Sequence, residues 1–302
     1  MHIPDGFLSV PVWAAMSTIT VPSVAYMARR AQREVEESRV PLLGVMGAFV
    51  FAAQMINFPV GVGTTGHLLG GALLAFTLGP AAASVVMTAI LAIQALVFQD
   101  GGLLALGANV FNMAVAGVLA GYLPYHFWGG GRRRKAAIFA GAALSVLAGA
   151  VLALAELRLS GVAMPNAAVW VSLGLFTINA AIEGGITLAA LSSLEALNPS
   201  WLRRPAADGR SVLGVLAAAA VLLATVGVLF AAASPDGLEK LAENLGIASR
   251  ARVLLGSPLA DYETGFFSSE WLRKASAGLA GLALIYGVCI ALARVISRRR
   301  SA

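Results

Sequence analysis

Long apolar runs, rather than an alternation of apolar and polar positions, organise this chain. Nine runs, over 10–28, 40–57, 66–79, 81–98, 103–124, 136–156, 167–194, 212–233 and 276–296, are separated by stretches where charge, proline or glycine gathers. A helix needs about 20 apolar residues to cross a bilayer. The pattern therefore predicts an all-α, polytopic membrane bundle of about nine transmembrane helices. The third run is short and is parted from the fourth by GPAA at 79–82, where Pro80 cannot continue a preceding helix. No repeat of fixed period and no low-complexity tract is visible.

Composition narrows the class. Of 302 residues, 59% are hydrophobic and 12% charged, against about 25% charged in a soluble domain. The mean hydropathy is +0.82. Thirty-three glycines suit helices that approach one another closely in a membrane. A net charge of +6 could suggest nucleic acid. The basic residues, however, form short clusters between apolar runs without interleaved aromatics, so nucleic acid is not an expected partner and the lipid bilayer is. The single cysteine, Cys289, lies inside an apolar run, which excludes an intramolecular disulfide and a cysteine-based metal site.

Short loops rich in Lys and Arg stay on the cytoplasmic side. Placing residue 1 outside puts Arg29, Arg30, Arg33 and Arg39 in the first inner loop and Arg132, Arg133, Arg134 and Lys135 in the second. Arg203, Arg204 and Arg210 fall in the third, and Arg294, Arg298, Arg299 and Arg300 at an inner C-terminus. The other basic residues are Arg158 in a short outer loop, and Lys240, Arg250, Arg252, Arg273 and Lys274 in one long outer segment. The expected topology is N-terminus outside and C-terminus inside. The first run lacks the basic residues that open a secretory leader, so the N-terminus is read as mature.

Two of the three histidines then face the same side. His2 follows the initiator methionine, and His67 lies in NFPVGVGTTGHLLGG (57–71), an outer loop running into a helix. A terminal amine, the His2 amide and the His2 Nδ1 can close a five-membered and a six-membered chelate ring on a metal. An imidazole nitrogen from His67 makes four. Square-planar nitrogen coordination is favoured by Ni(II) and Cu(II), whereas zinc prefers a tetrahedron. The competing reading of residues 1–2 is a frayed, solvated terminus. Asp5, Asn57 and Thr65 are candidates for hydrogen bonds that orient the rings, or equally for loop and cap residues. His126, in YLPYHFW at the inner interface, reads as an interfacial anchor.

At these residues the sequence resembles a family. MHIPDGFL at the start, GTTGHLLGG at 63–71 and FQDGGLLALGANVFNMA at 98–114 resemble, in that order, the nickel/cobalt-specific substrate-binding membrane component of energy-coupling factor (ECF) transporters, the NikM/CbiM family. The resemblance covers roughly 1–200 and implies a helical bundle with an extra amino-terminal helix. It also implies metal held by Met1, His2 and His67. SPDGLEKLAENLG (234–246) and SPLADYE (257–263) resemble the PDGLE-containing NikN-type accessory component, so 201–302 is expected to be a second module with two transmembrane helices and an extracytoplasmic loop. The fused arrangement points to Ni(II) ahead of Co(II) as the transported substrate, with no cofactor, in the cytoplasmic membrane of a prokaryote.

The chain departs from the family in LFTINAAIEGGIT (175–187), where Asn179 and Ala180 stand in place of an expected histidine. No metal ligand is assigned to that helix. Glu183 within it is an ionisable residue in a span and hence a functional candidate, for packing or coupling rather than ligation. Asn109 and Asn112, with Gln54 and Gln94, read as interhelical hydrogen-bonding residues. None of Lys135, Lys240 and Lys274 lies in a GxxxxGK[ST] phosphate-binding loop. ATP hydrolysis, if import is ATP-driven, is therefore expected on partner subunits, two ATPases and a coupling transmembrane protein. The alternatives are an autonomous secondary transporter coupled through Glu183 and a membrane metalloenzyme. The first is disfavoured because candidate ligands lie at the membrane edge rather than its midplane. The second lacks HExxH and a general base beside an open metal position.

Overall fold

A computed structural model describes residues 1–197, 210–232 and 234–298. Arg203, Arg204, Arg299 and Arg300, and the expected module boundary at 200/201, lie outside the described residues. Among the described residues, seven helices are long and apolar enough to cross a membrane: Val10–Glu34 (α1), Pro80–Phe98 (α4), Leu106–Trp128 (α5), Arg134–Leu159 (α6), Asn166–Leu197 (α7), Ser211–Leu229 (α8) and Glu270–Ser297 (α10). Two further apolar runs become the shorter helices α2, Val40–Gln54 with 15 residues, and α3, Gly71–Leu78 with 8. At 1.5 Å per residue these reach only about 22 and 12 Å, short of a hydrocarbon core of about 30 Å. Helix α9, Gly237–Asn244, is amphipathic and lies in the connection between α8 and α10.

The segment before α3 is not a plain loop. Phe58–Gly61 (β1) and Thr64–Gly66 (β2) pair as a small antiparallel hairpin, with Phe58 opposite Gly66 and an irregularity between Pro59 and Gly61. Gly63, with φ of +63°, makes its turn. Gly70 takes φ +75° at the start of α3, where an added Cβ would lie 2.5 Å from Val50. Only glycine serves there, and the hairpin can drop directly onto α2. Two of the membrane helices contain wide π-type turns, at Gln94–Phe98 in α4 and Phe111–Gly117 in α5.

The carboxy-terminal helices belong to the same packed body. Cys289 of α10 lies against Gly47 of α2, and Ala224, Ala277, Ile285 and Cys289 are buried in one core with Leu43, Met46, Leu74 and Ile90. A smaller core at one end of the bundle joins Ile3, Phe7 and Leu8 to Leu154 and Leu157 of α6 and to Leu238, Leu241 and Ile247 around α9. The amino-terminal segment is thus enclosed between helix ends and the connection from the carboxy-terminal half. At the opposite end Arg134 forms an ion pair with Glu195.

Candidate metal centre

Side-chain clamps on the backbone carry residues 1 and 2 inward. The Ile3 amide donates to Asn109 Oδ1 at 2.8 Å, and Asn109 Nδ2 donates to the Ile3 carbonyl at 3.0 Å. The Asp5 carboxylate accepts from the amides of Leu103, Leu104 and Ala105 at 2.8, 2.8 and 3.1 Å, satisfying three backbone donors in the turn just before α5. Met1 is consequently 4% and His2 9% exposed. That is the reverse of a frayed terminus.

The His67 segment is held as firmly. Glu183 of α7, fully buried, accepts the Leu69 and Gly70 amides at 2.7 and 2.8 Å. Gln54 Nε2 donates to the Leu69 carbonyl at 2.7 Å, and Asn179 Nδ2 to the His67 carbonyl at 3.4 Å. His67 Nδ1 lies 3.0 Å from the Leu68 carbonyl. A carbonyl only accepts, so Nδ1 carries the proton and Nε2 keeps its lone pair. That Nε2 faces the Met1 amine at 2.9 Å. Burial, the neighbouring Met1 ammonium and His2 push the His67 ring down to about 4, so it is neutral at physiological pH and able to bind a metal.

The His2 and His67 rings are parallel, 3° apart in tilt with centroids 5.6 Å apart. Two nitrogens at right angles about a metal, each about 2.0–2.1 Å away, would be separated by about 2.9 Å, which the amine and His67 Nε2 match. His2 is turned differently: its Nδ1 meets Asp100 Oδ1 at 2.9 Å, and its buried Nε2 has no hydrogen-bond partner. Among the described residues no three His, Cys, Asp or Glu side chains converge at metal-ligand spacing. What meets is the Met1 amine and one imidazole nitrogen, His67 Nε2, with the His2 ring stacked alongside.

Three residues that sequence reasoning passed over complete the surroundings. Asp236 forms an ion pair with the Met1 amine. Asp100, beside His2, accepts the Tyr262 hydroxyl at 2.5 Å, and Gln94 Nε2 donates to that hydroxyl at 3.1 Å and to Gln54 Oε1 at 2.9 Å. Burial alone would raise the Asp100 and Asp236 carboxyls, but facing His2 and the Met1 amine respectively holds both below the usual range. Burial and then Asp100 push the Tyr262 phenol well up, so it stays a donor. Asp100 stands in the FQDGG motif and Asp236 in SPDGLE. Carboxylates in those motifs were the available signal.

The other candidates act elsewhere. Thr65 donates its hydroxyl to the Ser234 carbonyl at 2.8 Å and its amide to Pro235 at 2.9 Å, and the Asn57 carbonyl accepts the Ala232 amide at 2.9 Å. These bonds join the hairpin to the carboxy-terminal connection rather than orienting an imidazole. Asn112 Nδ2 donates to Glu156 at 2.9 Å. His126 is exposed, packed by Tyr122 and Phe127. A cavity of about 470 Å³ with His2, His67, Asp100, Asp236 and Tyr262 in its wall adjoins the centre.

Comparison with known proteins bears on this arrangement. Residues 2–201 match the family described as the cobalt uptake substrate-specific transmembrane region, CbiM, and 210–298 match the PDGLE domain. A chain of Archaeoglobus fulgidus, provisionally named a fused nickel transport protein NikMN, is 33% identical over 97% of this chain and 98% of its own length. The fused nickel transport protein NikMN of Rhodobacter capsulatus is 31% identical over 94% and 95%. A crystal structure of a transition metal transporter superposes with a TM-score of 0.59 at 32% identity, over 68% of this chain and all of that one.

Proposed function

This chain belongs to the CbiM family of cobalt uptake substrate-specific transmembrane regions, with a PDGLE domain joined behind it, and from that premise we propose that it captures Ni(II), and with lower preference Co(II), for an ATP-driven ECF-type importer. It is a nickel/cobalt transport membrane component. The finer reading assigns the metal to four nitrogens: the Met1 amine, the His2 amide and Nδ1, and His67 Nε2.

One observation carries the reading. The Met1 amine and the lone pair of His67 Nε2 meet at 2.9 Å beside a parallel His2 ring, inside the protein rather than in solvent. Coordination through His2 Nδ1 requires that atom to exchange Asp100 for the metal. The amine must likewise give up its proton, which Ni(II) can drive as part of a chelate.

The topology proposed is N-terminus outside, with the short helices α2 and α3 counted with the seven long ones and the Arg29–Arg39 and Arg132–Lys135 clusters inside a prokaryotic cytoplasmic membrane. The chain lacks a phosphate-binding loop, so two ATPases and a coupling membrane protein are the partners proposed. Glu183 is committed to two loop amides, which weighs against its serving as the proton carrier of an autonomous transporter. Uptake of nickel into proteoliposomes tests this: it is expected only when ATPases, coupling subunit and internal ATP are all present. Equal uptake by this chain alone would contradict the ECF reading.

A further inference from the structure

The carboxy-terminal module contains no histidine or cysteine among 201–302 except the distant Cys289, yet it delivers a carboxylate into the metal centre. Asp236 caps α9, and its two oxygens have separate duties. Oδ1 accepts the amides of Leu238 and Glu239, each at 2.8 Å, while Glu239 returns Oε2 to the Asp236 amide at 2.9 Å. Oδ2 is left over by this capping box and lies against the Met1 amine. The same strand that leads into His67 holds the cap from the other side, through the bonds from Thr65 to Ser234 and Pro235.

The position of Oδ2 is therefore set by a helix cap and a hairpin, and does not depend on the amine being charged. A small cavity of about 10 Å³ lies among Met1, His67, Asn179 and Asp236, room for about one water-sized atom. Asn179, 4% exposed, also leaves its Oδ1 without a hydrogen-bond partner. Charge points the same way. Ni(II) bound to a deprotonated amide keeps one net positive charge, and a buried charge needs a counter-charge or ligand.

We propose that Asp236 Oδ2 is a fifth, oxygen ligand of the transported metal, added by the PDGLE module to the four nitrogens of the amino-terminal module. The proposal rests on the four-nitrogen reading above. A nitrogen plane alone leaves Ni(II) square-planar, whereas nitrogens plus a carboxylate oxygen give a tetragonal site.

The test uses the full chain and nickel alone. Asn caps a helix as well as Asp does, so Asp236→Asn keeps the oxygen that holds α9 and replaces the anionic one with an amide nitrogen. The expected result is a nickel Kd raised at least about tenfold, together with appearance of the square-planar pre-edge feature in nickel X-ray absorption, which the unmodified protein lacks. Asp236→Ser, a second neutral cap, should behave alike. A square-planar spectrum of the unmodified protein overturns the proposal even if neither variant folds. So does a rise in Kd without a spectral change, which would mark a merely structural cap, and so do unchanged affinity and spectrum. His67→Ala separates the two levels: if it still binds nickel tightly, the four-nitrogen reading fails. If it loses nickel while the unmodified protein is square-planar, Asp236 alone is excluded.

Discussion

His67 is a ring with its tautomer already chosen: Nδ1–H donates to the Leu68 carbonyl, and burial beside the Met1 amine keeps the ring neutral down to about pH 4. A metal ligand needs that lone pair more than it needs charge. His67→Ala is expected to abolish high-affinity nickel binding in calorimetry, while His126→Ala leaves it unchanged, because that ring lies exposed among aromatics. Scarcity made His2 and His67 legible in the sequence. The roles of Asp5 and Thr65 were less so: ring-orienting and loop or cap roles stood equal in the sequence, and the bonds observed are with the Leu103–Ala105 amides and the 234–235 carbonyls. A carboxylate or hydroxyl in a loop looks the same in sequence whether it serves a ring or a backbone.

Helix α7 reaches the centre through two side chains one turn apart, Asn179 and Glu183, and both bond backbone of the 67–70 segment. The carboxylate accepts two amides. A glutamine has a single oxygen acceptor, and its NH₂ would face the second N–H. Glu183→Gln should therefore cost roughly 1–3 kcal/mol of stability and weaken nickel binding by loosening the loop, read by denaturation in detergent and by calorimetry. Unchanged values in both would show that the clamp does not position His67. The apolar runs foretold the helices because facing lipid or other helices on every side leaves continuous hydrophobic sequence. They did not foretell that α2 and α3 stop short, nor the β1–β2 hairpin, whose strands of four and three residues are too brief for a period-two pattern to register.

The proposed centre draws on both sequence modules. Their separate sequence signatures were readable, but Asp236 beside Met1 and Tyr262 on Asp100 are pairings across most of the chain, and nothing periodic in a sequence records such contacts. The enclosure they form makes the Met1 amine an interior group, so the proposed chelate depends on that amine being free and in register. The most direct measurement is nickel binding and cellular nickel uptake by a chain with one glycine added before Met1, compared with the same chain tagged at its C-terminus. Adding a residue moves the amine one peptide unit from the chelate and from His67. The chelate predicts loss of both binding and uptake in the extended chain at normal expression and thermal stability, with the C-terminally tagged chain unaffected. Full binding and uptake by the extended chain, with intact mass spectrometry showing the added glycine still present, would contradict it.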